Sequence, residues 1–230
     1  MLDKLFTQFD SIIFLDVETS GLDFKHDEII EFGAVRVCMR EGALYTDKTV
    51  DLFVRLSAGK LLPGEITKLT SITQADLDEN GVSKSEVCKA ITEILGTDRP
   101  LVVAYNAQFD LCFLYYLLSN CGQSEVLKKI RMLDALTIYK DRRDYPHKLE
   151  NAVEEYKLET KSSHRAIDDS IATYSLLCAM DKEYPDLEHY INLFGYNPKY
   201  GISGPKINSV KYVQQPYGKH EKVYDMYKKF

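Results

Sequence analysis

A mixed α/β sheet flanked by helices is the fold class that this 230-residue sequence predicts. Two patterns predict it. Three β-rich segments follow one another in the first quarter of the chain, and beyond them strand-like apolar runs alternate with segments of helical period. Length bounds the answer: this much chain suffices for one well-cored domain with an appendage.

Residues 12–17 of "IIFLDVETSGL" open on a short apolar run, the pattern of a strand buried on both faces. Residues 29–39, beginning "IIEFGAVRV", and residues 50–56, "VDLFVRL", are rich in β-branched and aromatic side chains. With polar turn material at Glu41–Gly42, they predict an antiparallel meander with the first strand. In "LLPGEITKLTSITQADL", Pro63–Gly64 is a breaker ahead of two short helical pieces. Ser83 and Glu86 form a capping box, and Val87, Ala90, Ile91 and Ile94 follow at helical spacing, so a helix is expected over 83–95, stopped by Pro100. "LVVAY" (101–105) reads as a second buried strand. Residues 107–120 form a helix with Phe113, Leu114, Leu117 and Leu118 on one face, and "IRMLDAL" is a short strand leading into a helix. Residues 149–157 and 165–182 are helical by period, and no internal repeat or low-complexity run is present.

Hydrophobic content of 45% and charge of 28% fit an ordinary soluble globular protein. The formal net charge of −6 argues against a broad non-specific coat on DNA, though not against a local site. Five cysteines, none in a C-x-x-C pair, leave zinc and redox motifs unsupported and suit a reducing, cytoplasmic setting. The run Ile12–Leu15 is too short for a signal peptide and runs into acids, and no stretch approaches the ~18–20 apolar residues of a membrane span. The composition shifts near Gly195. Residues 195–230 carry seven lysines, six tyrosines and two acids, a net +5, whereas residues 1–194 are formally −11. The expected division is therefore a domain over 1–194 and a basic, Tyr-rich C-terminal extension over 195–230, too short to fold alone. That extension could contact a nucleic-acid strand, pack on the domain with its lysines solvated, or dock a partner chain or second copy.

Three short stretches carry the chemistry. Asp16 and Glu18 flank Val17, so in a strand both carboxylates point to one face, where they repel unless a cation lies between them. Taken alone, they read more simply as a solvated strand end. In "VVAYNAQFDLCFL" another apolar strand ends, and Asn106, Phe109 and Asp110 follow, with Asp110 in a first helical turn that favours an acid in any case. In "SSHRAIDDSIATYSLL", His164 stands at the start of a helix that Ser163 could cap, with Asp168 and Asp169 in its first turn. Two buried strands that both end in acids would bring those ends together if they are neighbours in one sheet.

"FLDVETSGL", "YNAQFD" and "HRAIDD", in this order and spacing, resemble the three motifs of the DEDDh family of 3′–5′ exonucleases. That family includes the proofreading epsilon subunit of bacterial DNA polymerase III, RNase T and oligoribonuclease. The resemblance covers roughly residues 10–182, and "EITKLTSITQADL" and "KLENAVEEYKL" are similar to its linking segments. It implies an RNase H-like fold: a mixed five-stranded sheet, antiparallel in its first part, with helices on both faces. It also implies two divalent cations, Mg²⁺ or Mn²⁺, about 3.5–4 Å apart and held by Asp16, Glu18, Asp110 and Asp169. Asp16 would bridge them, Glu18 and Asp169 would support the ion beside the attacking water, and Asp110 would act largely through water. His164 would be the general base, a role suited to a side chain that titrates close to neutral pH. The motif spacing selects Asp169 rather than Asp168. Val17, Thr19, Leu22, Asn106 and Phe109 match positions that approach the terminal nucleotides, although Leu22 and Phe109 could equally close the core.

The implied activity is removal of 5′-nucleoside monophosphates from the 3′ end of a single strand. DNA is favoured because "VETSGL" is closer to the polymerase-associated members, with RNA as the alternative substrate. Two other readings use the same fold: a non-catalytic nucleic-acid- or polymerase-binding module, which missing ligands would signal, and a different two-metal phosphoesterase or RNase H-type endonuclease. All five motif residues are present, which favours the exonuclease. No polymerase motifs accompany them, so a polymerase partner is expected to be a separate chain.

Overall fold

The computed structural model describes residues 1–218 and 221–227. A short helix, α1 (Asp3–Phe6), precedes the antiparallel meander β1 (Ser11–Thr19), β2 (Ile29–Arg40) and β3 (Ala43–Phe53). Helices α2 (Gly64–Thr70), α3 (Gln74–Asn80) and α4 (Lys84–Leu95) follow. The chain then returns through the sheet as β4 (Pro100–Ala104), parallel to β1. After α5 (Ala107–Asn120) it returns again as β5 (Arg131–Asp134), parallel to β4. The strand order β3-β2-β1-β4-β5 makes the mixed five-stranded sheet that the motifs implied. Helices α6 (Ala135–Arg142), α7 (Leu149–Glu155) and α8 (Ala166–Glu183) complete the domain.

The alternation of side chains along β1 decides what lies over each face. Ile12 and Phe14 pack with residues of α6, α7 and α8, while Ile13, Leu15 and Val17 pack with α4 and α5. Burying each of these side chains stabilises the fold by roughly 1.5–3 kcal/mol, which is why the run is apolar on both faces. Asp16 and Glu18 continue the even-numbered series and so face α8. The capping box expected at the start of α4 is present, with Ser83 and Glu86 bonded reciprocally.

Several expectations need correction. The third strand starts at Ala43, not near residue 50. It is an edge strand whose first half is mostly solvent-facing, so no apolar signal marks it. Its register is set by the turn, where Glu41 (φ 53°) and Gly42 (φ 78°) take the left-handed conformation that a two-residue hairpin requires. Ser163 does not cap α8. Arg165 occupies that position, and Ser163 Oγ instead donates to Asp168 at 2.5 Å. Among the cysteines, Cys88 and Cys121 are joined as a disulfide across 33 residues, a pairing with no sign in their spacing, while Cys38, Cys112 and Cys178 are free.

The division expected after residue 194 falls inside a strand. β6 (Leu193–Tyr196) pairs in parallel with β7 (Lys211–Gln214), and the short helix α9 (Val223–Tyr227) follows. Val210 and Val223 reach the two apolar cores. Buried Gln215 donates to Thr137 O at 2.8 Å and to Asp141 Oδ1 at 2.6 Å, tying the extension to α6. Of the seven lysines in 195–230, Lys219, Lys228 and Lys229 lie outside the described residues. Among the described residues, no helix is long and apolar enough to cross a membrane.

Candidate active site and metal centre

β1, β4 and β5 run parallel, so their C-terminal ends share one edge of the sheet. Asp16 and Glu18 sit at that end of β1. Neither carboxylate accepts a hydrogen bond from any described residue.

Helix α8 reaches them because of one glycine. Asp16 pairs with Gly33 on β2, and a Cβ at Gly33 would lie 2.2 Å from both Ala166 C and Ile167 N. The backbone of α8 therefore rests directly on the strand. Ser170 Oγ, 3.0 Å from Gly33 O and 2.8 Å from Ala166 O, ties the two together. This seating turns Asp169, in the first turn of α8, towards β1, and the Ser163 N–H orients its carboxylate at 3.1 Å.

Asp110 arrives from the other face. Asp134, at the end of β5, accepts the N–H groups of Asn106 (2.9 Å) and Ala107 (3.1 Å) and so pins the start of α5. Asn106 takes the left-handed conformation there (φ 70°). Asp110 follows one turn later, buried, with Oδ1 accepting the Val17 N–H at 3.1 Å, between the two β1 acids.

Sequence reasoning missed Glu31. It is fully buried and lies opposite Glu18 in the antiparallel register. Its Oε1 accepts from Arg165 Nε (2.8 Å) and Nη2 (2.7 Å), and its Oε2 accepts from the Ala166 N–H (2.9 Å). The pair fixes the N-terminus of α8. The only available signal was a glutamate inside the apolar run "IIEFGAV".

The electrostatics are those of a crowded anionic site. Burial, then the charges of Asp110, Glu18 and Asp169, holds the Asp16 carboxyl well above the usual range. Burial, then Asp169, Glu31 and Asp110, pushes Glu18 up to about 8, against the pull of Arg165. Burial also raises Asp110, partly offset by backbone N–H groups, and Asp169, partly offset by the Ser162 side chain and then the Ser163 N–H. Acids so placed ionise together only beside a cation. Carboxylate oxygens suit a hard divalent ion, and Glu18, Asp169 and a ring nitrogen of His164 each offer a ligand atom within 4.8 Å of the others. His164 itself is exposed and left-handed (φ 55°), on the loop ahead of α8 rather than in it.

The remaining sequence-selected residues surround this centre unequally. The Val17 side chain is core, packed towards α4 and α5. Thr19 is buried and donates its hydroxyl to Gly21 O at 2.6 Å. Leu22 is 83% exposed, so it does not close the core. Phe109 is half-buried, with its ring 4.9 Å from that of Phe113, and Asn106 is exposed.

Comparison with known proteins agrees with this architecture. A DNA polymerase III PolC-type from Bacillus subtilis is 32% identical over 178 residues, covering 76% of this chain and 12% of the polymerase. The chain thus spans about a tenth of the length of the PolC-type relatives it matches, with 11% covered in the Clostridium perfringens protein. A DNA polymerase III subunit epsilon from Treponema pallidum is 28% identical over 186 residues, covering 77% of this chain and 80% of the subunit. An E. coli exonuclease I–single-stranded DNA complex in its zinc-bound form superposes with a TM-score of 0.70 at 18% identity, covering 80% of this chain and 43% of the enzyme. That likeness is one of fold, the RNase H-like sheet with its flanking helices. The family model RNase_T, an exonuclease family, matches residues 13–177, a span that holds all four converging acids and His164, and the chain belongs to that family.

Proposed function

We propose that this protein is a metal-dependent 3′–5′ exonuclease that releases 5′-nucleoside monophosphates from single-stranded DNA. The observation that carries the reading is the convergence of Asp16, Glu18, Asp110 and Asp169 at one sheet edge, with His164 within ligand distance of two of them. The residues fit a pair of divalent cations, Mg²⁺ or Mn²⁺, because the four carboxylates repel one another and those of Asp16 and Glu18 accept no hydrogen bond from the described residues. When bound, such ions would polarise the scissile phosphate and neutralise the charge that develops there.

The chain's own residues do the rest. His164, at the rim, takes the proton of the water whose oxygen attacks phosphorus, and the bond to the 3′-oxygen of the preceding nucleotide breaks. Glu31 and Arg165 hold the helix that carries Asp169, and Asp134 holds the turn that carries Asp110. Leu22, Asn106 and Phe109 offer surfaces to the terminal nucleotides, apolar at two positions and polar at one. DNA as the substrate is supported by relatives named as DNA polymerase III and by the exonuclease I complex with single-stranded DNA. A polymerase would then be the natural partner.

A time course on 5′-labelled single-stranded DNA, on duplex DNA with a mismatched 3′ end and on RNA tests this reading. The expected result is progressive shortening from the 3′ end, fastest on single-stranded DNA and abolished by EDTA. Internal cuts, 5′-end release or EDTA-resistant cleavage would refute it, and faster RNA loss would reassign the substrate.

A further inference from the structure

Beside the carboxylates, the same sheet edge carries a second cleft of about 190 Å³, between the start of α5, α6 and residues 194–217. Its lining includes Asn106, Lys140, Tyr196, Tyr200, Tyr212 and Tyr217. Asn106 joins the two sites: it opens α5, and Asp110 follows four residues later, about 6 Å along the helix. Across the sheet, the end of β5 lies two strand spacings from the end of β1, about 10 Å.

The polar groups at the base of the cleft are of two kinds. Gln108 and Asp134 are satisfied by the protein: Gln108 bonds to Ser203 O, Pro205 O and the Tyr212 hydroxyl, and Asp134 accepts five hydrogen bonds. Lys140 is half-buried, and its ammonium makes no hydrogen bond or ion pair among the described residues. The rim is aromatic and open. Tyr200 is 66% exposed and Tyr217 54% exposed, with their rings 6.5 Å apart. Tyr217 also stacks on His147 at 6.2 Å and 14°, and Tyr145 abuts it at 5.8 Å. Lys199 lies over the Tyr200 ring at 5.1 Å. Lys140 feels the charge of Asp134, whose oxygens are taken up by other donors, and its ammonium stays without a hydrogen bond among the described residues. Exposed, mutually braced ring faces around such a cation are what a nucleotide needs: a platform for the base and a charge for the phosphate.

We propose that this cleft is an upstream subsite for the single strand, in which successive bases stack on the ring faces of Tyr200 and Tyr217, which stand at 67° to each other, and a phosphate meets Lys140. The inference rests on the proposed exonuclease reading and adds a second point of grip to it. It also gives the packed extension a role: residues 196–217 supply the platform, and α6 supplies the charge.

The test compares Tyr200→Ala, Tyr217→Ala and Lys140→Gln with the parent in two assays. One is binding of a twelve-nucleotide oligothymidylate in EDTA over a salt series. The other is Mg²⁺-dependent hydrolysis of the p-nitrophenyl ester of thymidine 5′-monophosphate, which is too short to reach the cleft. The tyrosine variants should bind the oligonucleotide roughly 5- to 150-fold more weakly, the worth of one stacked base. Tyr200→Phe, which keeps the ring, should bind as the parent does. Lys140→Gln should lower the slope of log affinity against log salt by about 0.7. Ester hydrolysis should be unchanged throughout. Unchanged oligonucleotide binding, no binding by the parent, or a parallel loss of ester hydrolysis would each overturn the subsite. Failure of the parent to hydrolyse the ester or any strand refutes the exonuclease reading instead, and the binding arm still reads the cleft.

Discussion

Gly33→Ala tests how the site is assembled without touching a ligand. The added methyl would sit 2.2 Å from two backbone atoms of α8 and 2.5 Å from Ala166 O. Backbone cannot swing aside as a side chain can. To reach an ordinary contact of 3.4 Å the helix must retreat by about 1.2 Å, or the strand must bow by as much. Either movement breaks the Ser170 link to Gly33 and carries Asp169 away from Asp16 and Glu18. Overpacking of this kind destabilises by about 1–3 kcal/mol, or roughly 2–12 °C in Tm for a domain of this size. A displacement near 1 Å at a reacting centre costs about 10²-fold in rate. The assay is kcat on single-stranded DNA with saturating Mg²⁺, read beside a thermal melt. A Tm within 1 °C of the parent and a rate within threefold would refute the idea that close seating of α8 on β2 sets the site.

Asp16→Ala should abolish cleavage while leaving Tm unchanged or slightly raised in EDTA, since it removes a half-buried carboxyl that its neighbours repel; activity at the parent level would exclude Asp16 from the centre. His164→Ala should lower kcat by roughly 10²–10⁴ with oligonucleotide affinity little changed, and a loss under threefold would remove it as the base. Asp168→Ala, which deletes an exposed carboxylate bonded to Ser163, should give only a mild rate defect; total loss would mean that the wrong aspartate of the pair had been assigned. Glu28 predicts acid sensitivity. Burial opposes its charge, but Lys84, Lys60 and the Ser57 N–H outweigh it and bring its carboxyl down to about 2. Its contribution is therefore complete above about pH 4.5 and lost as pH falls through about 2, roughly 1–2 kcal/mol after solvent screening. Urea unfolding at pH 6 and pH 3 should show a smaller acid loss in Glu28→Gln than in the parent, and equal losses would contradict the assignment.

The parts of the molecule that were legible in the sequence are those where one local property decides the structure. Four apolar residues in a row, Ile12 to Leu15, with Val17 just beyond Asp16, read as a strand covered on both faces, and the capping box of α4 announces its own start. The acids were legible as a set because their neighbours form three separate motifs. What stayed hidden depends on partners distant in sequence. Glu31 is unremarkable until Arg165, 134 residues away, is set against it. The Cys88–Cys121 pair and the first half of β3 leave no periodic trace. The extension packs through single residues, Val210, Gln215 and Val223, scattered among turn formers. Its lysines and tyrosines advertised a surface, whereas the structure seats their backbone on α6 and leaves only some of the side chains outward.

The acids of this protein divide by what the chain does for them, and that division supports the proposed metal site independently of any motif. Asp134 accepts five hydrogen bonds, and Glu31 has a guanidinium and a helix N–H. Apart from the Thr137 hydroxyl on Asp134, every hydrogen bond they accept comes from the backbone or from the cation that positions it. Their work is therefore to hold backbone in place, although burial still raises the Glu31 carboxyl against the pull of Arg165 and the Ala166 N–H. Asp110 and Asp169 are intermediate, each oriented by a backbone N–H yet still raised by burial. Asp16 and Glu18 accept no hydrogen bond from any described residue, although they stand among the others, and the charge of Arg165 favours the ionised Glu18 but is outweighed. A fold that can bond two carboxylates fully, and leaves two bare within the same few residues of strand, has not run out of donors. The Glu31–Arg165 pair beside Glu18 shows that a cation was available to this edge of the sheet, and it is bound to the positioning residue rather than to the bare ones. The uncompensated charge is thus localised at Asp16 and Glu18, and the same contacts that satisfy Asp134 and Glu31 hold Asp110 and Asp169 around it.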